Sequence, residues 1–166
     1  YKGFYVAIGC QGGRLPGIPG QELSGVRTAI DFLHVANTGA LPVSGKVVVV
    51  GGGNVAIDAA RVAKRSGASE VTMLSLETED IMPASPLERA EAREDGVTIL
   101  PGWGPKEVKG TEKVEGIVFK KCTSVFDESH RFAPKYDEEQ ILSLEADLVI
   151  FAIGQSIVWG DLLKDT

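Results

Sequence analysis

The chain has 166 residues, 43% of them hydrophobic, which is ample for one domain with a sizeable core. Its formal net charge of −6 argues against a general nucleic-acid binder, and the lack of any basic run or basic amphipathic helix argues against an anionic membrane surface. The longest apolar stretch, Leu148 to Ile153, is far too short to span a bilayer, and Tyr1 to Gly9 lacks the pattern of a signal peptide. Two cysteines, Cys10 and Cys122, lie far apart with no C-x-x-C pair, which reads as a cytoplasmic chain with free thiols.

In chain order, Phe4 to Ile8 reads as a strand running into a glycine-rich turn. RLPGIPG is irregular, because Pro16 and Pro19 bar regular pairing. Thr28 to Asn37 has helical spacing, with Ile30, Leu33 and His34 on one side and Gly39 as a stop. Lys46 to Val50 predicts a buried strand, three glycines follow, and a helix pattern opens at Asn54 and ends at Gly67. Val71 to Leu76 is the next strand. Ser85, Pro86 and Glu88 form a helix start in which Ser85 caps, Pro86 takes the first position and Glu88 completes a capping box. That helix stops at Gly96, and Val97 to Leu100 is a further strand.

Strands alternating with helices predict a parallel sheet with right-handed crossovers. The pattern then changes: Glu107 to Lys109, Val114 to Lys121 and Ile141 to Leu144 predict an antiparallel meander with a long solvated loop from Asp127 to Gln140. Asp147 to Ala152 is a last buried strand. His130, Lys135 and Tyr136 are assigned no chemistry, and neither is His34. The expected fold is therefore α/β: a Rossmann-like parallel sheet with flanking helices and an added β-meander.

Gly51, Gly53 and Ala56 fill the G-x-G-x-x-G/A pattern of a dinucleotide-binding turn, placed between a strand and a helix as that chemistry requires. A glycine at 51 permits the tight turn, one at 53 leaves room for a pyrophosphate against the backbone, and Ala56 lets the helix pack closely on the strand. The free N–H groups around Asn54 and Val55 sit at the positive end of the helix dipole. At the end of the next strand stands Glu77, 24 positions after Gly53, near the interval of about 20 at which a carboxylate reads the adenosine ribose. Such a carboxylate accepts from both ribose hydroxyls of NAD and repels the 2′-phosphate of NADP, so NAD(H) is expected over NADP(H). The other reading of Glu77 is the first residue of a solvated acidic loop.

The succession YVAIGCQGGRLPGIPGQELSGV, KVVVVGGGNVAIDAARVAKRSGASEVT, MPASPLERAEAREDGV and EADLVIFAIGQ resembles the glutamate synthase small subunit and its relatives among FAD-dependent pyridine nucleotide-disulfide oxidoreductases. The likeness covers nearly the whole chain in order. It implies a single nicotinamide-nucleotide domain over residues 1–166, excised from a larger flavoprotein, with Ala7-Ile8-Gly9 and Ala152-Ile153-Gly154 in the two crossings to an FAD domain. It further implies that Gly51, Gly52, Gly53, Asn54, Val55 and Ala56 hold the pyrophosphate and that Ile153 and Gly154 lie near the nicotinamide. Where NADPH-using relatives have Tyr-Arg-Arg, this chain has Ser75-Leu76-Glu77, which puts NADP use in doubt. FAD is expected mostly outside these residues. The expected partners are the FAD domain of the same polypeptide and an iron–sulfur domain or larger catalytic subunit. An FAD-binding or nucleotide-sensing domain without redox activity of its own is the alternative, and no side-chain acid, base or nucleophile is expected.

Overall fold

The computed structural model describes residues 2–39, 42–162 and 164. In chain order the elements are β1 (Gly12–Gly13), β2 (Val26–Thr28), α1 (Ala29–Asn37), β3 (Lys46–Val50), α2 (Asn54–Arg65), β4 (Glu70–Ser75) and α3 (Pro86–Glu94). There follow β5 (Thr98–Pro101), β6 (Trp103–Gly110), β7 (Val114–Phe126), β8 (Phe132–Glu145), β9 (Leu148–Phe151) and β10 (Gln155–Ser156).

Five strands form one parallel sheet in the order β2-β9-β3-β4-β5, and β6-β7-β8 form a separate antiparallel sheet. The run Val47 to Val50 is buried throughout because both faces of β3 are covered. Val47 and Val49 join a core with Ala56, Ala60 and Phe32 of the helices. Val48 and Val50 join a second core with Ile117 and Phe119 of the meander. Alternation along one strand thus feeds two cores, and each buried valine contributes about 1.5–3 kcal/mol. The result has three layers: helices, parallel sheet, meander.

Three local expectations are corrected. Phe4 to Ile8 forms no strand; Phe4 and Tyr5 are 88% and 94% exposed, so hydrophobic content alone does not place this segment in a sheet. Residues 132–140 are not a loop. They belong to β8, which pairs antiparallel with β7, and only 127–131 turn, with Asp127 Oδ1 accepting from Ser129 N (2.8 Å) and Arg131 N (3.0 Å). The polar composition reflects an edge strand with one solvated face. On α1 the fully buried side chain is Phe32, and His34 is exposed. A strand at Val26–Thr28, unforeseen from the sequence, forms the far edge of the sheet, and Thr28 caps α1.

The chain leaves β3 toward β4 and β5 on one side, while β9 and β2 lie on the other. The strand order reverses there, so the carboxyl ends of β3 and β9 flank a crevice, the place where open α/β sheets bind ligands. Gly51 leaves β3 and Ala152 leaves β9 one step past the paired residues Val50 and Phe151. The short β1–β10 ribbon stands over the same end, with Arg14 N donating to Gly154 O (3.2 Å).

Candidate functional site: a cleft at the sheet switch point

The turn after β3 is built from main chain. Gly51 has φ +149°, and a Cβ there would overlap the Ala152 carbonyl. Its N–H donates to Leu74 O (2.8 Å), which ties the turn to β4. Gly53 is the N-cap of α2, and its carbonyl accepts from Ala56 N and Ile57 N (2.9 and 3.3 Å). It offers no side-chain cap, and the first turn of α2 carries no acid. The N–H groups of Asn54 and Val55 therefore face the crevice without an acceptor among the described residues. A Cβ on Gly53 would meet nothing within 4 Å: the space above it is open. Ala56 is fully buried against the sheet.

A segment before α3 is latched to this turn. Ala84 N donates to Gly52 O (2.9 Å), and Ser85 N donates to Asn54 Oδ1 (3.1 Å). The Ser85 hydroxyl accepts from Glu88 N (3.2 Å), which is half of the expected capping box. The other half is absent because the Ser85 N–H is taken by Asn54, and Glu88 Oε2 is buried without a partner. Arg89 donates to Glu79 O, and Arg93 pairs with the Glu79 carboxylate at 2.6 Å, fixing the loop that follows Glu77.

Two adjoining clefts open over the turn. The larger, about 630 Å³, is bordered by Gly51, Gly52, Gly53, Glu77, Ile153 and Gly154. The smaller, about 420 Å³, is bordered by Asn54, Val55, Gly53 and Gly154, with Gly13 and Gln155 of the ribbon. The structure thus gathers the sequence-predicted residues around one crevice, with Ala56 beneath it rather than in its wall.

Glu77 is half-buried. Its carbonyl accepts from Ser75 Oγ and Gly102 N (both 2.9 Å), and its carboxylate lies over the turn, 2.5 Å from where a Cβ of Gly52 would stand. It is therefore a wall of the cleft and not merely a solvated loop residue.

The outer wall comes from the meander and was not foreseen: Trp103, Lys120, Phe132, Pro134 and Tyr136. The sequence reading ended the central meander strand at Lys121, whereas it runs from Val114 to Phe126 and pairs with β8 as far as Phe132, which is what brings these residues to the wall. Tyr136 lies over Gly104, where Leu76 also approaches, and burial pushes its hydroxyl pKa up. Lys120 Nζ sits 4.2 Å above the Tyr136 ring and 2.8 Å from Glu138 Oε1. Cys122 is buried beside this wall, and desolvation raises its thiol pKa.

A parallel sheet whose switch-point crevice is lined by a glycine turn, a bare helix start and a strand-end carboxylate defines a dinucleotide-fold domain. The sequence profile of the pyridine nucleotide-disulphide oxidoreductases matches residues 1–158, and the chain belongs to that family.

Among its relatives, it is 36% identical over 167 residues to the glutamate synthase [NADPH] small chain of Halomonas elongata, covering 93% of this chain and 35% of that one. It is 34% identical to the NAD-dependent dihydropyrimidine dehydrogenase subunit PreT of Escherichia coli O157:H7 (96% and 34% covered). Its identity to the NADPH-Fe(3+) oxidoreductase subunit beta of Geobacter sulfurreducens strain DL-1 / KN400 is 35% (93% and 24% covered). The chain therefore spans about a third or less of the length of these relatives. In structure it matches FprA, a Mycobacterium tuberculosis oxidoreductase, with TM-score 0.75 at 23% identity over 92% of this chain and 50% of that one, a likeness of fold. Among the described residues no helix is long and apolar enough to cross a membrane.

Proposed function

We propose that this chain is the nicotinamide-nucleotide domain of an FAD-dependent oxidoreductase similar to the glutamate synthase small chain, and that it presents NADH to flavin. The observation that carries the reading is the open, uncapped start of α2 above Gly53, at the floor of a cleft with Glu77 in its wall.

The residues fit the group. The N–H groups of Asn54 and Val55, at the positive end of α2, face the position of a diphosphate, and Gly51, Gly52 and Gly53 keep side chains out of it. Glu77 accepts from the ribose hydroxyls, contributing about 2–4 kcal/mol over two hydrogen bonds. Ile153 and Gly154, at the other end of the cleft, face the nicotinamide half. When bound, the nicotinamide supplies a hydride to the flavin; this chain's contribution is to bind and orient it. Every side chain invoked here positions and none exchanges a proton.

In this reading residues 1–166 form one domain, the FAD domain lies in the remainder of a longer polypeptide, and an iron–sulfur domain or larger catalytic subunit is the further partner. The short span relative to the relatives and the exposed apolar side chains along the two crossings, among them Tyr5, Val158 and Trp159, support it. Free Cys10 and Cys122 fit a reducing cytoplasm.

The relatives' names point both to NADPH and to NAD. Glu77 favours NADH, because a 2′-phosphate beside it meets like charge. Titration of NADH and NADPH against the protein and against Glu77→Arg tests this. Tighter NADH binding that inverts in the variant is expected; equal or tighter NADPH binding by the unaltered chain overturns the preference.

A further inference from the structure

Among the described residues lining the larger cleft, Lys120 is the single basic side chain. It is not free to meet a ligand. Its ammonium donates to Glu138 Oε1 at 2.8 Å and rests 4.2 Å from the centre of the Tyr136 ring. The strand that carries Glu138 is shaped to do this. In the β7–β8 ladder Lys120 pairs with Ile141 and Lys121 with Asp137, so residues 138–140 bulge out between two successive pairs.

Asp137 holds that bulge: its Oδ1 accepts from Glu139 N (3.0 Å) and its Oδ2 from Gln140 Nε2 (2.7 Å). Bulges re-aim side chains, and this one turns Glu138 back over Lys120. The pair is asymmetric. The side chain of Lys120 is 22% exposed in the cleft wall, whereas that of Glu138 is 62% exposed on the outside. The Lys120 hydrogen bond holds the Glu138 carboxyl below its usual range, aided by Lys106 and opposed by Asp137.

We propose that Glu138 is a nucleotide-selectivity residue: by holding Lys120 it denies an adenosine 2′-phosphate the counter-charge of the basic side chain that lines the cleft. The inference rests on the nucleotide reading above and adds a second device to Glu77. A nucleotide lacking the 2′-phosphate asks nothing of Lys120. One carrying it brings extra negative charge into a wall whose cation is already neutralised.

The test uses 5′-ADP and 2′,5′-ADP as probes, with NADH and NADPH, against the protein, Glu138→Gln, Lys120→Met and the double variant. Glu138→Gln should tighten 2′,5′-ADP and NADPH about threefold, the size of one half-exposed charge pair, and leave 5′-ADP and NADH unchanged. The gain should vanish in the double variant. No change in the 2′,5′-ADP to 5′-ADP ratio overturns the inference. So does equal tightening of both probes, which is the response of any anion to one fewer negative charge. Thermal melting of each variant reports folding separately. If the unaltered protein does not bind NADH, the nucleotide reading falls and this inference with it. If it binds NADH and Glu138→Gln leaves the ratio as it was, only the inference about Glu138 falls.

Discussion

Replacing Gly53 by Asp should raise stability and abolish nucleotide binding together. The backbone at Gly53, φ −95° and ψ 174°, is the ordinary N-cap conformation, and a Cβ there touches nothing within 4 Å. An Asp side chain would therefore enter without strain and accept from the N–H groups that now face the crevice. Asp at an N-cap is worth a few tenths of a kcal/mol more than Gly. A carboxylate at a helix start adds about 0.3–1 kcal/mol, with no acid in the first turn of α2 to compete. The sum, about 1 kcal/mol, should raise Tm by roughly 2–4 °C. The same carboxylate occupies the place assigned to the diphosphate and repels it, so NADH affinity should fall more than tenfold.

Gly51→Ala provides the contrast. At φ +149°, against the Ala152 carbonyl, the added methyl brings about 1–3 kcal/mol of backbone strain and a similar cost of overlap. That variant should melt well below the unaltered chain. Differential scanning calorimetry and fluorescence titration with NADH check both. A folded, stabilised Gly53→Asp protein that binds NADH as tightly as before would refute the assignment of the turn.

Three further outcomes follow from the packing and ion pairs. Asp95 accepts from Arg61 Nε (2.7 Å) and Arg65 (2.8 Å), joining α2 to the end of α3, and the Arg61 hydrogen bond holds its carboxyl below 3.8. A depressed carboxyl stabilises the fold above its unfolded pKa and loses that contribution as pH falls through its folded value. Asp95→Asn should thus lower Tm at pH 7, and the gap to the unaltered protein should narrow as pH falls through the depressed folded value of Asp95. Phe32 is fully buried between α1 and the sheet, and Phe32→Ala should cost about 3–5 kcal/mol in chemical denaturation; a loss under 1 kcal/mol would contradict the packing. Cys10 is exposed and Cys122 buried, with its thiol pKa pushed up by burial. A thiol reagent should label Cys10 in the native protein and Cys122 only on unfolding, and rapid native labelling of Cys122 would show the β7–β8 wall to be open.

Much of the frame was legible in the linear order of residues, because its causes are local. Lys46 to Val50, a short β-branched run ended by glycines, reads as a buried strand. Three glycines between that strand and an amphipathic run mark a tight turn into α2, and Ser85-Pro86 starts α3 as capping chemistry dictates. The spacing from Gly53 to Glu77 covers one helix and one strand, so the sequence could offer the carboxylate as a neighbour of the turn, with a solvated acidic loop as the other reading.

What tertiary structure alone decided depends on which strands find neighbours. Phe4 to Ile8 has the composition of a strand and lies in none, whereas the polar Phe132–Gln140 segment becomes one because β7 presents an unpaired edge to it. That pairing brings Lys120 and Tyr136, 16 positions apart, over a glycine turn nearly seventy residues earlier in the chain. Pairing across a sheet is a nonlocal hydrogen-bond ladder. Its register is set by the whole sheet and by bulges such as 138–140, and no local pattern of residue types encodes it.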